Sequence, residues 1–333
     1  MKRRTLSQGL AAMLAAPALS LGSALVRAQG AEKLRVRLDF SPWGMHAAMH
    51  LALQKGLFKA QGLDVEVQDG TGTISTLQLL AAGQADIGQV ALGTMAVAKE
   101  NGLDLMSIAG FARTGDLAVL VDEKIGVKTP KDLAGKKIVC FTTSPWAPFI
   151  EPFLKANGMS KSSINLVMVA PSAMISTYAS DNSDGFMSQA PFGQPMVLKT
   201  RKASALLLGD SGISFPSYGL AVTPKALESK REAIARFVQV QVRAWQYIHD
   251  GHVDEAVNAI VAQRPNARLD PDVLRGQITA YRAFFESPSA RNQPFGLQND
   301  ADWAAAIRSM EQTGQIKPGH KPSDYYTNAL LAV

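Results

Sequence analysis

Apolar positions along this chain follow two alternating rhythms. Short runs rich in apolar residues at 34–38, 63–67 and 87–90 read as strands. Between and after them, residues 45–55, 74–82 and 94–100 place apolar side chains three or four positions apart, the period of a helix face. Gly56, Gly83 and Gly102 close these stretches, as expected where a left-handed residue ends a helix. The same order restarts after Lys128-Thr129-Pro130. Strands are predicted at 137–141, 165–169 and around 185–187, with a helix over about 146–157.

Such alternation predicts an α/β fold, two lobes each built on a largely parallel sheet. Residues 119–121 and Tyr218–Val222 read as two hinge strands on which the chain crosses between lobes and returns. The first lobe then begins as residues 29–121, the second spans 122–212, and residues 213–333 return to the first. Helical periodicity at 228–249, 253–262, 271–285 and 300–313 predicts four helices packed on the outside of that first lobe.

The start of the chain differs. Lys2, Arg3 and Arg4 precede an apolar run over 10–25 that ends at Val26-Arg27-Ala28, which reads as an export signal peptide, residues 1–28. The adjacent Arg3 and Arg4 fit twin-arginine export. Pro17, Ser20, Gly22 and Ser23 interrupt the run, so a membrane span is not expected. Function is thereby placed in the periplasm. The formal net charge of +6 also changes meaning, because four of the 34 basic residues lie in this segment and none of the 28 acidic ones does. The remaining balance of 30 against 28, with no basic stripe, argues against nucleic acid as a partner. A lone Cys140 excludes an internal disulfide and a cysteine metal cluster, and its apolar neighbours predict a buried small hydrophobe.

In open α/β sheets ligands bind beyond the carboxyl ends of strands, where helix N-termini converge. The loop after the first strand carries Phe40 and Trp43, aromatics able to stack on a planar ligand, and leads into His46. After the second strand, Gly72 and Thr73 permit close backbone approach and offer free N–H donors to an acceptor group. Leu92 and Gly93 repeat the arrangement after the third strand. The second lobe contributes Thr142, Thr143 and Trp146, and later Gln189 and Phe192, while Tyr218 stands at the return crossing. Arg113 is a candidate partner for a carboxylate or sulfonate. Two walls of matching chemistry predict a cleft that closes on one small planar solute, aromatic or heteroaromatic and in one form anionic.

Enzyme chemistry finds little support. His46 and His50 have the spacing of a metal pair but lack an accompanying HExxH carboxylate. Ser144 has no G-x-S-x-G setting, and no acidic pair stands out. No catalytic residue, metal or cofactor is expected.

The segments Leu38-Asp39-Phe40-Ser41-Pro42-Trp43-Gly44-Met45-His46, Ala52-Leu53-Gln54-Lys55-Gly56-Leu57-Phe58, Gly62-Leu63-Asp64-Val65-Glu66-Val67 and Gly83-Gln84-Ala85-Asp86-Ile87-Gly88, in this order, resemble the ABC-transporter solute-binding proteins for sulfonates, taurine and thiamine-pyrimidine precursors. The run from Lys128 to Lys137 is similar to that family's entry to its second lobe, and the resemblance covers about residues 34–245. It implies a type II periplasmic-binding-protein fold, a ligand held between lobes, and a permease with its ATPase as partners; the chain itself is expected to be a monomer. It also implies a ligand-contact role for His46, which falls where pyrimidine-precursor binders carry a histidine. Trp43-Gly44 departs from that pattern, in which an asparagine is expected shortly after the proline. The family includes a fungal pyrimidine synthase with a cysteine-rich iron site, which a chain with one cysteine does not match, so the alternatives to capture for import are an extracytoplasmic ligand sensor and, with less support, an enzyme on the same scaffold.

Overall fold

The computed structural model describes residues 31–331; the expected signal peptide lies outside them. These described residues form two five-stranded sheets. Strands β1 (Glu32–Arg37), β2 (Leu63–Gln68) and β3 (Ile87–Ala91) are parallel, and they alternate with α1 (Ala47–Gln54), α2 (Thr73–Ala81) and α3 (Leu92–Glu100). β4 (Met106–Gly110) completes the outbound part of this lobe, and the chain then crosses. In the second lobe β5 (Leu117–Asp122) is followed by β6 (Lys137–Cys140), α4 (Ile150–Ala156), β7 (Asn165–Met168), α5 (Met174–Ala179), β8 (Gly185–Gln189), α6 (Ala190–Val197) and β9 (Ala203–Leu207). The chain returns through β10 (Tyr218–Val222) to α7 (Pro224–Ser229), α8 (Arg231–His249), α9 (Val253–Gln263), α10 (Pro271–Tyr281) and α11 (Asp300–Gln312).

The two sheets share one plan. Their strand orders are β2-β1-β3-β10-β4 and β7-β6-β8-β5-β9, and in each the fourth strand runs antiparallel to both neighbours. Edge strand β2 alternates buried and open positions, whereas β3, β5, β8 and β10 are buried throughout, as strands covered on both faces must be. Cys140 is buried at the end of β6, where burial pushes its thiol up to about 11 and leaves it an unreactive hydrophobe.

The structure corrects the predicted hinge. All of β5 is hydrogen-bonded between β8 and β9, and all of β10 between β3 and β4, so neither is a crossing strand. The crossings are residues 111–116 and 208–217, and the first lobe's opening part ends before Leu117. An apolar run looks the same whether it bridges lobes or sits inside a sheet. The two crossings are tied together: Ser217 N–H donates to Ala112 O (2.8 Å), and the Ser217 hydroxyl donates to the Asp116 carboxylate.

The C-terminal helices also differ from expectation. α8 and α9 pack on α1 of the first lobe, but α10 lies against α6 of the second as well. Gln277 on α10 accepts from Gly44 N–H (2.8 Å) and donates to Phe192 O (3.1 Å), joining both lobes through one side chain. Among the described residues no helix is long and apolar enough to cross a membrane.

Candidate functional site

Four strand ends and the segments that follow them meet between the lobes. Beyond β1 the chain presents Asp39, Phe40 and Trp43; beyond β2, Gly72; beyond β6, Phe141, Ser144 and Pro145; and β8 ends in Met187, Ser188 and Gln189, followed by Phe192 on α6. Met174 on α5 closes the far side. Aromatic rings fill most of this cleft. Phe40 lies 5.7 Å from Phe141 and 5.9 Å from Phe192, and Trp43 meets Phe192 edge-on at 5.2 Å, so rings from the two lobes interlock. The space left to water-sized occupants is about 20 Å³, room for roughly one water.

A polar network lies under the rings. The Asp39 carboxylate is 3% exposed. One oxygen lies 2.7 Å from His46 Nε2 and accepts from Trp43 Nε1 (3.4 Å), while the other accepts from the Tyr218 hydroxyl (2.6 Å). Gln189 Nε2 donates to that same hydroxyl (2.7 Å), linking second-lobe strand to first-lobe carboxylate. Two carboxylate oxygens offer about four acceptor positions, so three partners leave one for a ligand donor. Deeper still, Asp116 accepts from the hydroxyls of Ser217 and Tyr281, and complete burial pushes its carboxyl up to about 6. Burial and the neighbouring carboxylates hold the Tyr218 and Tyr281 phenols far above their ordinary range, so both remain donors.

Gly72 shows why a glycine stands at the cleft edge. Its φ is +133°, and a Cβ there would lie 2.3 Å from the backbone oxygen of Thr143 in the other lobe. That close approach lets Thr143 Oγ1 donate to Thr71 O at 2.6 Å, a direct bond between lobes.

Of the residues expected at the site, Phe40, Trp43, Gly72, Gln189 and Phe192 line the cavity together. His46, Thr73 and Tyr218 stand one layer behind it. His46 is fully buried on Asp39, and the Thr73 hydroxyl accepts from Ala91 N–H at 3.4 Å. The others are placed elsewhere. Leu92 is core, and Gly93 admits the Phe215 ring, 2.5 Å from where its Cβ would be. Trp146 is buried with its indole N–H on Ser188 O (2.9 Å), and Thr143 joins the lobes. Thr142 faces a separate groove with Val97, Glu151 and Lys155. Arg113 requires the clearest correction, because its guanidinium donates to the backbone oxygens of Ala290 and Pro294 and fastens a C-terminal loop instead of facing a ligand anion.

Asp39, Phe141, Ser144, Pro145, Met174, Met187 and Ser188 also line the cavity but were not among the residues expected to contact a ligand. Asp39, Ser144 and Ser188 all lie at or just past strand ends, a position that points to them; Met174 comes from a helix not foreseen, and nothing local marks it. Among the described residues no cluster of three His, Cys, Asp or Glu side chains is arranged to hold a metal.

Comparison with known proteins agrees with this architecture. The chain is 22% identical over 287 residues to the formylaminopyrimidine-binding protein of Halalkalibacterium halodurans, covering 84% of this chain and 85% of that protein. A shorter match, 31% over 108 residues and 32% of each chain, is to a 4-amino-5-hydroxymethyl-2-methylpyrimidine phosphate synthase of Saccharomyces cerevisiae. In structure it resembles the periplasmic aliphatic sulphonate binding protein of Escherichia coli with a TM-score of 0.66 and 16% identity, over 90% of this chain and 99% of that one, so the fold is that of the periplasmic binding proteins. The family described as NMT1/THI5 like matches residues 43–255, more than half of the chain, and the protein belongs to that family.

Proposed function

We propose that this protein is the extracytoplasmic solute-binding component of an ABC importer, and that it takes a small planar heteroaromatic bearing amino or ring N–H donors. The observation that carries the reading is a cleft walled by Phe40, Trp43, Phe141 and Phe192 from both lobes around the single charged group Asp39. Rings stack or pack edge-on against such walls, and a buried carboxylate with an unused acceptor position selects a donor. Among the described residues no cation lines this cavity, which argues against a sulfonate or carboxylate as the group bound deepest. Capture without turnover is favoured because similarity to the named binding protein runs over 84% of the chain and similarity to the named synthase over 32%. An exported location, and a permease with its ATPase as partners, belong to the same reading.

With room for about one water, the cleft admits a ring only when the lobes part or the phenyl rings swing aside. Calorimetric titration of residues 29–333 with aminopyrimidines, alkyl and aryl sulfonates, and aromatic carboxylates tests the proposal. Aminopyrimidines are expected to bind one to one without product formation, and ligand at 100 to 1,000 times its Kd should add about 3–4 kcal/mol of stability. Saturable binding of a sulfonate or carboxylate alone would overturn the donor-bearing ring as cargo, and turnover would overturn capture.

A further inference from the structure

A second, larger space adjoins the inner cavity and shares Phe40, Trp43 and Phe192 with it. This outer chamber has a volume of about 550 Å³, within the roughly 300–1,000 Å³ of small-molecule sites, and both lobes wall it. Ile175 and Met196 come from the second lobe, Leu269 and Val273 from the return segment. Its polar side chains are those of Ser41, Ser172, Arg268, Asp270 and Gln277. Ser41 and Ser172 bring hydroxyls and Arg268 a guanidinium; all three residues are exposed at the chamber's mouth, and none of these side chains has a hydrogen-bond or ion-pair partner among the described residues, so water is what an anion would displace from them. The other two are occupied: Asp270 accepts from Asp272 N–H (2.8 Å) and from Lys199 Nζ (3.3 Å), and the Gln277 amide is engaged with Gly44 N–H and Phe192 O. The inner cavity therefore offers a spare acceptor beneath aromatic walls, and the outer chamber offers spare donors and a cation beyond the same walls.

We propose that the outer chamber is a second ligand subsite, holding an anionic arm carried by the ring that the inner cavity takes. The inference rests on the ring-binding reading above and adds the substrate class, a donor-bearing heteroaromatic substituted with a phosphate, carboxylate or sulfonate group. The ring would pass between Phe40 and Phe192 and the arm would remain on the Arg268 side of them. Arg268 has a φ of +48°, so Asn, which tolerates that backbone, is the replacement that removes the charge with least disturbance.

The test uses a matched pair of ligands, 4-amino-5-hydroxymethyl-2-methylpyrimidine and its phosphate monoester, titrated into the wild-type protein and into Arg268→Asn. The ester is expected to bind wild type at least tenfold more tightly at low ionic strength, with an advantage that shrinks as salt is added. In Arg268→Asn the ester and the alcohol should bind within about threefold of each other, with the alcohol's affinity unchanged. A Val273→Trp variant, which fills the chamber, should weaken the ester and spare the alcohol. If the alcohol binds and the ester gains nothing, or if the gain survives Arg268→Asn, the subsite is overturned while the ring reading stands. If neither ligand binds, the ring reading falls and takes the subsite with it.

Discussion

Trp43 stands where ligand recognition and stability meet. Its indole contacts Phe192, Tyr218, Tyr281 and His46 and is 2% exposed, so it is as much core as cleft wall. Trp43→Ala should destabilise the protein by about 3–5 kcal/mol in urea denaturation, as large-to-small core changes do, and a loss of binding in that variant would say little about contact. Gln189 separates the two effects. Its amide donates to the Tyr218 hydroxyl, which keeps its own bond to Asp39 when that donor is removed. Gln189→Leu is expected to lower stability by only about 1 kcal/mol while weakening ligand binding tenfold or more. Unchanged affinity by titration calorimetry would remove Gln189 from the recognition set.

At the level of elements, the cleft is held by loops that touch, and Gly72 at the start of α2 is a point where they leave no room for a side chain. Gly72→Ala places a Cβ against the Thr143 backbone and forces an L-residue to φ +133°, so it should cost about 1–3 kcal/mol and push the loops apart. Gly83→Ala is the control: its φ is +70° with nothing near the added carbon, so it carries backbone strain without the clash between lobes. Reduced ligand affinity in Gly72→Ala but not in Gly83→Ala would place the effect in the cleft; equal losses would assign it to backbone strain alone. The elements most readable from sequence were those of the first lobe, where strand, glycine-bearing loop and helix follow each other within a few residues. Five of the fourteen expected site residues line the cavity because strand ends can be located from periodicity. Arg113 misled because its partners are backbone oxygens 177 and 181 residues away, which side-chain chemistry does not announce. Likewise α10 is amphipathic whichever lobe it covers, and only the folded chain shows Gln277 reaching both.

On the scale of the whole molecule, both crossings and α10 converge on Asp116, which makes the junction between lobes sensitive to pH. Its carboxyl, normally near 3.8, titrates at about 6 because it is completely buried. Between those values the folded protein holds a proton that the unfolded chain has released, so this group's stabilising contribution is complete below about pH 4 and is lost as pH rises through 6. Buried histidines act in the opposite sense. Burial holds His50 and His249 down at about 4, so below pH 6.5 the unfolded chain takes up protons that the folded one refuses. Their contribution is present above 6.5 and lost as pH falls toward 4. Exposed carboxylates such as Glu255, held down to about 2 by Lys55 and Tyr247, act in the same sense as the histidines but only as pH falls below about 4.5. Two histidines outweigh one aspartate, so stability should decline as pH is lowered from 6.5 to 4, with Asp116 softening the slope. Asp116→Asn removes that compensation. Urea denaturation at pH 5 and pH 7.5 should show the variant losing more stability than wild type on acidification, whereas parallel losses would mean that Asp116 carries no extra proton at the junction.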